Sequence, residues 1–211
     1  MTTKSAPRRQ GRVLSGASDA LCLAFVNTVA WRKAESPEDR LPSPFELLDW
    51  CTGAGLCEAH YADELRRRWT EWPREAIAIY RRAIALREAI YRILQSRIRS
   101  ETLPDKELRV LNRMLAAAPR RVCLVPKENG FGWWAGTRRA APTDMLAPIA
   151  WSAADLLMGP RTQRLRQCAD EKGCGWLFID ESRAGTRRWC SMGECGNRAK
   201  ARRHYLRRKK T

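Results

Sequence analysis

The chain has 211 residues, 44% hydrophobic and 30% charged, and its 40 Lys+Arg against 23 Asp+Glu give a net charge of +17. That apolar fraction supports a buried core and excludes a wholly disordered chain. No stretch approaches the ~18–20 consecutive apolar residues of a membrane span, and no apolar h-region follows the basic N-terminus, so neither a membrane protein nor a secretory signal is expected.

In chain order, residues 1–17 read as a flexible basic arm. Ser18-Asp19 caps a first helix, DALCLAFVNTVAWRK, and Ser43-Pro44-Phe45-Glu46 reads as a capping box that opens a second, ended by Gly53 or Gly55. From Pro73 to about Ser100, Ala76, Ile79, Ala83, Leu86, Ile90 and Ile93 follow the spacing of one helix face, as in a bundle core or a dimer seam. Pro104 restarts the chain into an amphipathic helix. The segments RVCLVP and FGWWAG then predict a β-hairpin. After Pro142 a helical pattern returns, with Pro148 a kink or a late start, and Gly159-Pro160 marks a domain boundary. The expected fold class is α+β, mainly α: a helical domain with a β-hairpin over 18–159, then a small hairpin-plus-helix module over 160–211.

Charge is uneven. Residues 161–211 carry 15 basic and 5 acidic side chains, and the other 160 residues carry 25 and 18. The C-terminal quarter therefore holds +10 of the +17, which points to a polyanion partner. Four of the eight cysteines also fall there, spaced Cys168-x5-Cys174-x15-Cys190-x4-Cys195. Two close pairs of thiols across such a loop match tetrahedral zinc, and four protein ligands make the site structural. Two disulfides, redox-active thiols and an iron–sulfur cluster are the alternatives, each disfavoured by context or spacing. GWLFID and RRWCS read as paired strands between the two knuckles, followed by a helix from about Cys195 to Arg208.

That helix is basic on nearly all sides, so Arg198, Lys200, Arg202, Arg203, His204, Arg207 and Arg208 are candidate nucleic-acid contacts, flanked by Arg187 and Arg188. The bland alternative is a solvated tail. In the first helix Asn27 and Trp31 are candidate lining for an effector pocket, with core packing preferred for the tryptophans and an interior hydrogen-bond anchor preferred for Asn27.

The segments CGWLFID, RRWCSM and CGNRAKARRH resemble the CGNR zinc finger, whose name stands here as Cys195-Gly196-Asn197-Arg198. Residues 21–32, 46–56 and 147–157 are similar to the ABATE domain that precedes that finger. Two departures are the x5 spacing of the first cysteine pair, where x4 is expected, and Ala24 where relatives often carry Asp. The resemblance implies a bacterial transcription regulator that is cytoplasmic and nucleoid-associated. Double-stranded DNA is its implied partner; one structural Zn²⁺ follows from the cysteine spacing, and a small-molecule effector in the Trp-rich N-terminal half and a second copy of the chain paired through 73–100 are further expectations. An RNA-binding or ribosome-associated zinc protein is the alternative. No nucleophile elbow, Walker A loop, GxGxxG or His/carboxylate cluster appears, so an enzyme is not expected.

Overall fold

The structure is a computed structural model and describes residues 13–15, 19–121, 123–127, 130–134, 141–170 and 172–209. Helix α4 (Pro73–Arg99) is its axis, packed by α1 (Asp19–Val26), α2 (Pro44–Gly53), α3 (Ala59–Glu71), α5 (Asp105–Ala117) and α6 (Ala147–Met158). Its buried face is the one its spacing predicts, with Ala76, Ile79, Ala83, Leu86, Ile90 and Ile93 all in the core. Within one chain, that face is therefore already covered.

Local signals account for several boundaries. Ser43 caps α2, with its hydroxyl accepting from Phe45 N–H at 3.1 Å, and Pro44 occupies the first turn. Pro148 sits in the first turn of α6, after a 3₁₀ turn at Pro142–Leu146, so it is a start and not a kink. Ser152 Oγ of α6 accepts from Cys22 N–H of α1 at 2.8 Å and ties the two helices together, while the expected cap at Ser18 lies outside the described residues.

Strands β4 (Cys123–Lys127) and β5 (Gly130–Trp134) form the expected hairpin. Strand β1 (Val13–Ser15), within the stretch read as a flexible arm, adds to its free edge by pairing with β5. An unpaired β5 edge is a ready template for a third strand. The rest of the arm and the turn residues 128 and 129 lie outside the described residues. Among the described residues, no helix is long and apolar enough to cross a membrane.

Two expectations need correction. Helix α1 stops at Val26 rather than reaching Lys33, and β2 (Val29–Ala30) then pairs with β3 (Glu38–Asp39). The reason is tertiary: Asn27 bonds a strand 150 residues away, as described below. Helix α3, absent from the sequence reading, buries Ala62, Leu65 and Trp69 along one side of an otherwise Arg- and Glu-rich segment.

One buried ionic group braces this core. The Arg87 side chain, 3% exposed, donates to both Asp39 oxygens at 2.8 and 2.6 Å and to Thr28 Oγ1 at 3.1 Å. Burial opposes ionisation of Asp39, but the hydrogen bonds and charge of Arg87 outweigh it and hold the carboxyl below its ordinary value.

Candidate metal centre

A 3₁₀ turn at Pro160–Arg164 leads from α6 into β6 (Leu165–Gln167), which pairs antiparallel with β7 (Leu177–Ile179). The strand period of two divides β7 between two cores. Leu177 and Ile179 join the helical core with Leu165, while Phe178 turns the other way against the cysteines, Trp176 and Trp189. The hairpin partner of GWLFID is thus 165–167 and not RRWCS. The carboxylate of Asp180 explains why: it accepts from Ser182 N–H, Ser182 Oγ and Arg187 N–H at 3.0, 2.6 and 2.8 Å. These bonds fold residues 180–187 into a turn that places the next segment beside the knuckle instead of in a ladder.

The first knuckle depends on glycine at two places. Gly173 and Gly175 have φ of 98° and 70°, in the left-handed region. At Gly173 a Cβ would also stand 2.5 Å from Ala34 N, so the backbone of residues 33–34 passes directly over it. The second knuckle is a single π turn, Met192–Gly196, capped by Ser191 Oγ, which accepts from Glu194 N–H at 3.2 Å, and it runs straight into α7 (Asn197–Arg208).

These turns bring the ligand atoms of Cys168, Cys174, Cys190 and Cys195 within 4.8 Å of one another. The Cys174–Cys190 and Cys190–Cys195 sulfurs lie 3.7 and 3.6 Å apart. A disulfide requires ~2.05 Å. Bonds of ~2.3 Å to a central zinc place tetrahedral sulfurs roughly 3.8 Å apart, close to the spacing found. The extra residue of the x5 spacing is absorbed in the knuckle loop without displacing Cys168 or Cys174 from the set. One structural zinc ion fits these four ligands, and His204 is not among them.

The thiols themselves ask for a cation. Hydrogen bonds from Cys174 and Cys190 hold the Cys168 thiol far below its ordinary value. In turn, Cys190 is pushed up by its hydrogen bonds to Cys168 and Cys174, and Cys195 by burial. Four thiolates this close repel one another, a bound cation relieves that repulsion, and loading it expels thiol protons. Arg198 supplies further positive charge: its Nη2 donates to Cys195 Sγ at 3.0 Å and to Asp170 at 2.9 Å, and its Nε donates to Asp170 at 3.1 Å. The guanidinium also stacks 4.7 Å above the Trp31 ring.

The metal-bearing module is sewn to the helical domain. Asn27 mimics a strand partner, its Nδ2 donating to Leu177 O at 2.8 Å while its Oδ1 accepts from Leu177 N–H at 3.0 Å. Arg32 and Lys33 N–H donate to Cys174 O and Gly173 O at 3.2 and 2.9 Å, and Trp176 Nε1 donates to Val29 O at 3.0 Å. From α4, Tyr91 OH donates to Gly175 O at 3.2 Å under the Arg32 guanidinium, itself paired with Glu88.

Several candidate residues therefore have different places from those expected. Asn27 is the exception: it is the hydrogen-bond anchor preferred for it, here between the helical domain and the zinc module. Trp31 lines only a crevice of about 60 Å³ beside the cysteines, far below the ~300 Å³ of a small-molecule pocket. A groove of about 420 Å³ lies instead against α4 and α5, between Arg82, Val110, Arg113, Met114 and Thr143. Arg198, expected among the nucleic-acid contacts, is directed inward by Asp170 and Cys195. So is Arg187, which donates to the carbonyls of Trp189 and Cys190 and covers the Phe178 ring. Arg188, Lys200, Arg202, Arg203, His204, Arg207 and Arg208 are exposed, the last six on α7. The Asp170–Arg198 brace and the Asn27 bridge leave no local sequence signal, because their partners are 28 and 150 residues away.

Residues 19–160 match the ABATE family model, described as "Putative stress-induced transcription regulator", and residues 164–208 match the CGNR zinc finger. No curated protein matches the chain.

Proposed function

We propose, for a chain that belongs to the ABATE family and ends in a CGNR zinc finger, that it is a zinc-dependent regulator whose helix α7 binds double-stranded DNA. The observation that carries this reading is the exposure of α7 itself. Every residue from Ala201 to Lys209 is exposed, and Lys200, Arg202, Arg203, Arg207, Arg208 and Lys209 face solvent with no acidic residue in the helix. Twelve helical residues span ~18 Å, and a helix fits the ~12 Å major groove. So many like charges on one short helix repel each other until a polyanion neutralises them.

Zinc has a defined part here. Cys195 lies in the turn that opens α7, so the metal fixes the helix to the hairpin, and the Asn27 and Arg32 bonds fix the hairpin to the helical domain. The bond network from α4 to the knuckle gives the helical domain a route by which a bound effector alters the finger. The groove between α4 and α5 is the place we assign to that effector. RNA is the second reading, favoured by Tyr205, which is 57% exposed on α7 with Lys209 over its ring, a setting suited to base stacking beside a cation.

Selection of binding sites from a random duplex pool, with zinc-loaded protein and competing RNA, tests the reading. A recovered motif that survives competition supports a DNA regulator. Sequence-blind binding displaced by single-stranded RNA favours the second reading.

A further inference from the structure

The structure also bears on which side of α7 meets the nucleic acid. A cleft of about 120 Å³ lies between α7 and the loops carrying the first and third cysteines. Lys172 of the first knuckle, Arg188 of the preceding turn, and Arg202 and Arg203 of α7 converge on it. Trp189 and Leu206 supply its apolar wall. Its floor is the Asp170 carboxylate, already paired with Arg198 at 2.9 Å.

Three separate segments thus aim cations at one small space, held there by the zinc-stapled backbone. Lys172, Arg188 and Arg203 have no acidic side-chain partner among the described residues, so the fold confines like charges that an anion would relieve. The volume is well below the ~300–1,000 Å³ of drug-sized pockets and suits a single phosphate group with its sugar against the apolar wall. At 100° per residue, Ala199, Arg202, Arg203 and Leu206 share the cleft side of α7, while Lys200, His204 and Arg208 point away from it. Cations on the outer side come from one helix and spread into solvent.

We propose that this cleft seats a backbone phosphate of the nucleic acid and so sets which face of α7 lies against the duplex. The proposal rests on the reading of α7 as a nucleic-acid interface. It assigns Arg188 and Lys172, which lie outside the helix, to the same contact as Arg203.

The test compares two double variants of the full-length, zinc-loaded protein that each remove two positive charges: R188A/R203A in the cleft and K200A/R208A on the outer side. By fluorescence anisotropy with a labelled duplex at physiological salt, the cleft pair loses about tenfold or more in affinity and the outer pair less than about threefold. Equal losses, or a larger loss for the outer pair, overturn the cleft and leave nucleic-acid binding standing. A second arm needs no variant: side-chain NMR of ¹⁵N-arginine-labelled wild type titrated with inorganic phosphate and, separately, with the duplex. Shifts at Arg188 and Arg203 ahead of Arg207 and Arg208 support the cleft. If phosphate produces them and the duplex does not bind, the anion site stands and the DNA reading fails. If neither probe favours Arg188 and Arg203, the proposal is wrong.

Discussion

The two parts of this molecule are held together by different physics. Around α4, more than two dozen apolar side chains, most of them from six helices, exclude water, and the fold there follows from periodicity. In the zinc module the buried group is Phe178 with three of the cysteines, backed by Trp176, Trp189 and Cys190. So small an apolar core does not offset the conformational entropy of some 45 residues. The module instead relies on four metal–thiolate bonds and on hydrogen bonds from the helical domain. The sequence boundary at Gly159-Pro160 is therefore not a boundary in packing, since Leu165, Leu177 and Ile179 lie in the helical core.

Removing the metal exposes this difference most strongly. Structural zinc contributes about 10–16 kcal/mol in isolated finger peptides. Chelation is expected to raise amide exchange across 186–209 towards that of an unfolded chain. Amides of Leu177 and Ile179, anchored in the helical core, keep part of their protection, and those of α4 and α6 keep nearly all. Loss of protection throughout would mean that the two regions share one fate.

Acid reaches the same state in two steps. Zinc loading expels thiol protons, so zinc affinity falls as pH falls. Asp39 has a folded pKa below its ordinary 3.8, so its contribution is present above that value and disappears as pH falls through the lowered one. Zinc release, followed with a metallochromic dye, is thus expected at higher pH than loss of helical circular dichroism. Coincident transitions would contradict the separation.

Asn27→Ala probes the seam. It leaves the Leu177 N–H and C=O without their partner, at a cost of about 1–3 kcal/mol. Faster zinc loss to a competing chelator is expected, with a modest fall in Tm. An unchanged zinc off-rate would show that the module does not depend on this bridge. Arg198→Ala, the smallest effect expected on folding, removes the guanidinium from Cys195 and Asp170 and lowers zinc affinity by about 10–100-fold. An unchanged zinc affinity would remove Arg198 from the metal's support.

Legibility in the sequence follows the same division. Helix α4, the Ser43 cap, the Pro104 restart and the hairpin at 123–134 were readable because their signals lie within a few residues. The four cysteines were readable because spacing alone encodes a knuckle pair. Helix α3 carries little sequence signal because Arg66, Arg67 and Arg68 mask a thin stripe of Ala62, Leu65 and Trp69. The early end of α1 and the inward turn of Arg187 and Arg198 depend on acceptors distant in sequence or on backbone carbonyls, which leave no local pattern. A row of arginines gives charge but not direction. Only the acceptors at Asp170, Cys195, Trp189 and Cys190 separate the bracing guanidiniums from those exposed on α7.

The most direct test of the central claim is duplex affinity with and without the metal. Fluorescence anisotropy on a fixed DNA duplex at constant salt would compare zinc-loaded protein, chelated protein and protein reloaded with zinc. The account predicts at least about a tenfold loss on chelation and full recovery on reloading, because the metal holds α7 to the scaffold. Equal affinity of the zinc-free protein would contradict it, leaving α7 as a charged tail whose binding does not need the finger.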